Sequence, residues 1–581
     1  MRHKRKYFTL SFYLAAAAVF AVVLLSNPFL KIPYDPWEHL LVVASLHDEG
    51  KSFIFWPGEG GGDITKAMYF WHQLWASIFR LTGINDIFLW ARIIHMFQFT
   101  LACLCVFYFS KTALSILTKH KNHTLKSSRK SLESSPSHAG TREREDISRI
   151  RILSLFAVLL WIIGNGTFSM KYQQAWIMWY SLTYQGLTIP LLWYGAALTF
   201  KLAYEHLSIR QKLFHVAQIG IISLIMVRAH PTELLYYLIF LFVLLLFNMK
   251  KLFSMENRKM KRVILICIPL ALLLLFILIR YLMPVEAPFF AWISSGTSLS
   301  QMWIQAKQIG NEIVHSGLNR FPNSFSEIAL LSIIAAIVAR VIYTVFRRDR
   351  VIYLNLRFFD YLLALSILFF SIPMVPSLAG LIGYMTHPHH VWRFFFASPW
   401  FIFLPFLIYE TLKSKHIRRL LTENPIYRLL IKNEAIYIAS KRKLIAFSVI
   451  AGIVILLFIE YFPGKIISFK TTMLNAKSIV ASLDRENVGV QYSKNDIDAI
   501  GEVVKECDQT NKGKPNIYFT KETSIIGGAG DRAYIIRGVF RKYVYGLRRG
   551  CLTKDSFYKR GLDKKYNLID IDHPEECRQQ K

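Results

Sequence analysis

A helix that crosses a bilayer needs about 17 to 25 mostly apolar residues, and this 581-residue chain supplies runs of that length repeatedly. They begin near Phe8, Ile87, Ile152, Leu182, Val263, Ile328, Phe358, Phe394 and Leu444. Two shorter runs, Phe214 to Val227 and Leu234 to Phe247, flank Arg228-Ala229-His230-Pro231-Thr232-Glu233. Hydrocarbon offers backbone groups no water to bond, so each run has to pair its own, as a helix does. The expectation is an all-α polytopic membrane protein of about eleven transmembrane helices. A small soluble α/β domain is expected after the last of them.

The basic residues set the expected orientation. Arg2, Lys4, Arg5 and Lys6 precede the first run, and strict alternation then places the other basic segments on the same, cytoplasmic side. Those segments are Lys119 to Arg151, Lys250 to Arg262, Arg347 to Arg350 and Lys413 to Lys443. The net charge of +32 is therefore spread over loops between apolar runs. That pattern argues against nucleic acid as a partner, which would call for one basic soluble face. No small-residue cleavage site follows the first run, whose flanks suit a retained anchor.

Residues 1–463 read as the membrane part, with a large first outer loop over 28–86 and a cytoplasmic linker loop over 112–151. The Ser-, Lys- and Arg-rich stretch from Lys119 to Arg151 has too few apolar residues for a core and is expected to be a mobile linker. The outer loops are aromatic instead: Trp56, Tyr69, Phe70, Trp71 and Trp75 in the first, Tyr172, Trp176, Trp179 and Tyr180 in the second. Such rings favour the membrane interface, which predicts short amphipathic helices lying against it. Residues 464–581 read as the outer soluble domain, with strands at Ile517-Tyr518-Phe519 and Leu568-Ile569-Asp570-Ile571 and a helix over Asp496 to Cys507. Three of the six cysteines, Cys507, Cys551 and Cys577, fall there, which permits at most one internal disulfide. Cys103, Cys105 and Cys267 lie in apolar runs, as packing residues do.

Several polar clusters stand at the outer ends of these runs. Asp35-Pro36-Trp37-Glu38 has the form of a helix start, with Asp35 as N-cap, Pro36 at the first helical position and Glu38 closing a capping box. A carboxylate held that rigidly beside a membrane-surface cleft also suits a general base. Lys66 either snorkels to the headgroups or neutralises an anionic ligand. Asp63, in Gly60-Gly61-Gly62-Asp63, suits a solvated loop. Arg228, His230 and Glu233 join two runs too short to lift them far from the bilayer, where ionisable groups are costly unless paired or functional; Arg228 with Glu233 as a structural ion pair is the plain expectation. In His387-Pro388-His389-His390-Val391-Trp392-Arg393, a helix beginning at Pro388 would put His389 and Arg393 one turn apart on one face, as two donors for a phosphate.

A basic N-terminus, one span, a large outer loop with an early acidic motif, then Lys66-Ala67-Met68-Tyr69-Phe70-Trp71, Thr82-Gly83 and Trp90-Ala91-Arg92 leading into the second span resembles the GT-C class of membrane glycosyltransferases. The nearest subgroup is that of the protein mannosyltransferases and the aminoarabinose transferases of lipid A. There a Lys-Pro-Pro-x-x-Tyr-Trp pattern closes the loop. Here the prolines are missing, and the acidic pair is Asp35 and Glu38 instead of two neighbours. The resemblance implies a transfer of sugar from a polyprenyl-phosphate donor to an acceptor at the outer face of a bacterial plasma membrane. It also implies Asp35, with Glu38 beside it, as the catalytic carboxylate and Lys66 at the donor phosphate; Arg228, His230, His389 and Arg393, basic groups at costly interfacial depth on the same side, are expected to join Lys66 around that phosphate.

No nucleotide-binding motif competes with that donor. Gly527-Gly528-Ala529-Gly530 lacks the strand, helix and lysine of a phosphate loop and reads as a turn. No cofactor is called for. A divalent metal at His387, His389 and His390 would need a further ligand that the local sequence does not supply. A transporter or lipid flippase would be expected to show repeated halves and charges at mid-membrane, whereas these groups gather at one face. A polysaccharide polymerase or ligase shares the carrier chemistry, and a non-catalytic scaffold presenting the C-terminal domain is the remaining alternative.

Overall fold

The computed structural model describes residues 34–50, 69–128, 136–164, 182–253, 327–345, 356–373, 375–385, 388–413, 494–510, 513–519, 554–559 and 561–571, with shorter pieces at 13–21, 300–311 and 536–544. The apolar runs at Val263 and Leu444 lie outside them, as do Trp56, Asp63, Lys66, His387 and the aromatic residues Tyr172, Trp176, Trp179 and Tyr180.

The segment before the first long apolar helix contains two helices, α1 (Tyr34–Glu49) and α2 (Tyr69–Thr82), and leads into α3 (Ile87–Ser128). Then come α4 (Pro136–Gly164), α5 (Gln185–Tyr204), α6 (Ile209–Ala229) and α7 (Pro231–Phe253). Among the described residues three helices are long and apolar enough to cross a membrane: Ile87–Thr118 within α3, then α5 and α6. Shorter apolar stretches run Thr232–Asn248 in α7 and Ala329–Val341 in α8 (Glu327–Val345). The polar stretch expected to be a mobile linker is largely helical: α3 continues to Ser128 and α4 starts at Pro136. A helix already nucleated in the bilayer adds one hydrogen bond per residue, so it propagates through Lys- and Ser-rich sequence that would not start one.

The two short runs around His230 become full helices. Ser208 and Gln211 form a capping box at the start of α6, and with the reciprocal bonds of that motif the helix begins five positions before its apolar core. At the other end the His230 N–H bonds to the Met226 carbonyl at 2.7 Å, and Pro231 opens α7 at the position where a missing N–H costs nothing. The outward face of α6 exposes Leu213, Phe214, Ile221 and Leu224, as a helix facing lipid does.

Beyond α9 (Leu356–Ser371) and α10 (Pro376–Met385), the span expected from Phe394 opens as a 3-10 helix. That helix covers Pro388–Ala397, a second short one covers Trp400–Ile402, and α11 (Phe403–Lys413) follows. With three residues per turn, neighbouring side chains point about 120° apart. Phe394, Phe395 and Phe396 therefore reach three directions, and all are buried: Phe394 meets Tyr236 at 4.5 Å and Phe395 meets Phe370 at 5.6 Å between ring centroids. Close backbone contact recurs at α10, where a Cβ on Gly310 would overlap the Pro376 carbonyl oxygen.

The C-terminal segment holds α12 (Lys494–Thr510), β1 (Asn516–Phe519), α13 (Lys554–Lys559) and β2 (Asn567–Asp570). The strands pair in parallel with Ile517 opposite Leu568 and Tyr518 opposite Ile569. Cys507 is buried and disulfide-bonded, with its partner outside the described residues, while Cys103 and Cys105 in α3 are buried free thiols. Two cores result. One is built from α3, α4, α5, α7, α8, α9 and the 3-10 segment. The other joins α1, α2 and the start of α3 to Ile497, Ile500, Val504, Tyr518, Ile536 and Ile569 of the C-terminal segment.

Trp71 and Trp75 of the first loop belong to that second core. Trp71, Trp75, Phe79 and Trp90 are buried, with Phe79 and Trp90 stacked at 4.7 Å and 5°. They pack inward instead of lying along the headgroups as expected. Burying such rings against protein is worth about 1.5–3 kcal/mol each, and α1 and the C-terminal segment supply the surface.

Asp508 links the elements of the C-terminal segment. Its carboxylate accepts from Tyr518 at 2.8 Å and Asn516 at 3.0 Å, and Lys542 lies 2.5 Å away. Burial alone would raise its pKa, but the bonds from Lys542, Asn516 and Tyr518 outweigh it and hold the carboxyl below its usual range. A depressed carboxylate pKa contributes stability above the unfolded value, and that stability is lost as pH falls through the folded value. Acid titration below about pH 4 should thus loosen this segment, and Asp508→Asn should flatten that response in near-ultraviolet circular dichroism.

Candidate functional site

Helix α1 is enclosed through its middle: the residues from His39 to Leu46 are all buried, the mark of a stretch surrounded by its neighbours. Asp35 and Glu38 stand in its first turn. The helix starts at Tyr34, so Asp35 is a first-turn residue instead of the expected N-cap. It remains at the positive end of the helix dipole, where a carboxylate is stabilised by about 0.3–1 kcal/mol.

One turn after Asp35, His39 begins a buried polar cluster that four helices build. His39 Nδ1 lies 2.9 Å from Nε2 of His72, on α2. Two N–H groups cannot face each other at that distance, so one imidazole donates, the other accepts, and the contact holds a single proton. Trp71 packs edge-on to His72, centroids 5.1 Å apart; its indole N–H is buried without a hydrogen-bond partner. Tyr184, at the head of α5, sits between two imidazoles, edge-on to His39 at 4.8 Å and stacked on His230 at 4.4 Å.

His230 in turn bonds through Nδ1 to Glu233, in the first turn of α7. Glu233 is fully buried and also accepts from Thr188 Oγ1 at 3.1 Å and Gln185 Nε2 at 3.3 Å, both on α5. The N-terminal ends of α2, α5 and α7 thus meet around one carboxylate and three imidazoles. Buried charge is tolerated only when paired and hydrogen-bonded, and Glu233 has three donors plus the dipole of its own helix. A carboxylate that fixes an imidazole in this way gives a group able to take up and hand on a proton.

The residues expected to contact a donor phosphate divide. His230 belongs to this cluster, with Glu233 as its ion-pair partner. Arg228 is exposed at the end of α6, so the expected Arg228–Glu233 pair is replaced by His230–Glu233: the last turn of α6 points Arg228 outward while Pro231 turns the chain so that Glu233 faces α5. Arg393 is buried in the 3-10 helix. In that geometry residues three apart align and residues four apart do not; the His389 side chain lies outside the described residues. Among the described residues no group of three or more His, Cys, Asp and Glu side chains is arranged to hold a metal ion.

Sequence reasoning missed His72, Tyr184, Gln185 and Thr188 and passed over His39. The available signal was weak: His39 follows the acidic motif and His72 the aromatic run, but nothing in the spacing joins them to residues 184–188.

No family model matches the chain, and no curated protein matches it. Among solved structures it is similar to the crystal structure of ArnT from Cupriavidus metallidurans in the apo state, at 11% identity and a TM-score of 0.44, over 98% of this chain and 90% of that one.

Proposed function

We propose that the chain is an integral membrane glycosyltransferase that moves a sugar from a polyprenyl-phosphate donor to an acceptor at the outer face of the membrane. The observation that carries this reading is the position of the buried polar cluster. It lies at the heads of apolar helices, one turn from the acidic motif on α1, and not at mid-span where a transporter would hold its substrate. Asp35 takes the proton from the acceptor hydroxyl as that oxygen forms its bond to the anomeric carbon. The bond from that carbon to the phosphate oxygen breaks, and polyprenyl phosphate leaves as an anion. Lys66, Arg228, His230, His389 and Arg393 are the groups assigned to that anion, where charge develops in the transition state.

Two features support action at the outer face. Cys507 is disulfide-bonded, which favours an oxidising compartment. The segment carrying it shares a core with α1 and α2, so both lie on one side of the membrane. The purified protein should transfer radiolabelled sugar from at least one member of a panel of polyprenyl-phosphate sugars to membrane lipid, glycan or protein acceptors. A panel that gives no transfer above a heat-treated control sinks the reading.

A further inference from the structure

The acidic motif lies in the first loop, whereas the last turns of α1 take polar contacts from a turn about five hundred residues later in the chain. The turn at residues 536–542 is closed by the Lys542 N–H bonding to the Ile536 carbonyl at 3.2 Å. It is anchored to its own segment by the fully buried Ile536 and by the Lys542–Asp508 ion pair at 2.5 Å. It presents two arginines to the far end of α1. Arg537, 2% exposed, donates from Nη2 to Ser45 Oγ at 2.7 Å and pairs with Glu49 Oε1 at 2.8 Å. Arg541 donates to the Asn85 carbonyl at 3.1 Å, lies 3.6 Å from Asp48 Oδ2, and sits 4.6 Å above the Trp90 ring.

Arg541 holds φ at +57°, a left-handed conformation that non-glycine residues adopt rarely and keep only where surrounding contacts enforce it. From the other side, Arg80 of α2 bonds the Leu46 and His47 carbonyls, capping the last turn of α1. The end of α1 opposite Asp35 is therefore clamped between α2 and the C-terminal segment.

We propose that Arg537 and Arg541 are positioning residues: the C-terminal segment latches α1 and so fixes the turn that carries Asp35 and His39. The catalytic unit is then incomplete without residues 536–542. A rigid helix passes displacement along its length, so loosening its last turn moves its first, and proton transfer is sensitive to misplacement on the order of 1 Å. The role in catalysis rests on the glycosyltransferase reading; the latch itself does not.

Hydrogen exchange on the full-length protein in detergent reads the latch without any activity. Arg537→Ala should raise exchange of the amides from Tyr34 to Glu49 about tenfold or more while leaving α5 and α7 protected. Glu49→Ala should raise it less, because Arg537 keeps its bond to Ser45, and the double variant should add little to Arg537→Ala, which already removes both contacts. If Arg537→Ala does not accumulate, Arg537→Lys, which keeps the charge but not the planar fork, should give a smaller increase in the same peptide. Unchanged exchange in α1, or effects of Arg537→Ala and Glu49→Ala that simply sum, overturns the latch. In transfer assays normalised to folded protein, Arg537→Ala should lower kcat with little change in the KM for donor, and Arg537→Lys should recover part of it. A raised KM at normal kcat overturns the positioning role. Wild-type protein inactive on every donor would sink the transferase reading and leave the exchange result standing.

Discussion

Asp35→Asn is expected to abolish most sugar transfer, by something on the order of a hundredfold or more, the contribution typical of a positioned general base. The variant should stay folded. Asn has nearly the shape of Asp, and in the first turn of α1 the change gives up only the carboxylate's interaction with the helix dipole, about 0.3–1 kcal/mol. The loss should fall on kcat and persist at saturating donor, because the carboxylate acts on the acceptor hydroxyl and not on the phosphate. Thermal inactivation of the variant, measured beside its turnover, separates the roles. Normal turnover at normal stability would return Asp35 to its plain role at a helix start. Lost turnover with lost stability would mean that the carboxylate mainly holds α1.

What the sequence made legible was whatever repeats over many residues. Long apolar runs gave α3 and α5, and short apolar stretches gave the strands around Ile517 and Ile569 and the helix before them, whose structure spans Lys494–Thr510, Asn516–Phe519 and Asn567–Asp570. The stretch from Pro388 to Ile402 was not legible as 3-10 helix, because hydropathy reports that Phe394, Phe395 and Phe396 are buried but not that they are buried in three directions. The cluster was legible least. His39, His72, Tyr184 and Glu233 come from four segments and meet only through tertiary packing, so no local spacing marks them. The aromatic residues of the first loop misled for a related reason. Trp71 and Trp75 have the composition of a membrane-interface belt, and only the presence of α1 and the C-terminal segment decides that they face protein. Arg537 shows the same limit: a lone arginine in a basic chain gives no hint that Ser45 and Glu49 receive it.

The largest effect on stability is expected at Glu233. Its carboxylate is fully buried and takes bonds from His230, Thr188 and Gln185. Glu233→Ala leaves all three groups without that acceptor, and a buried polar group stripped of its partner costs about 1–3 kcal/mol. The three losses share one acceptor and do not simply add, so a total of about 3 kcal/mol is expected. Glu233→Gln keeps an acceptor oxygen and the shape, so it should cost clearly less. Arg228 is the contrast. Exposed at the end of α6, it should tolerate Arg228→Ala within about 0.5 kcal/mol, whereas the pairing expected from sequence would make it as damaging as Glu233→Ala. Thermal inactivation of the three variants in one detergent decides the matter. Equal losses for Arg228→Ala and Glu233→Ala would restore the Arg228–Glu233 pair, and a stable Glu233→Ala would mean that water or lipid reaches the cluster and takes the place of the carboxylate.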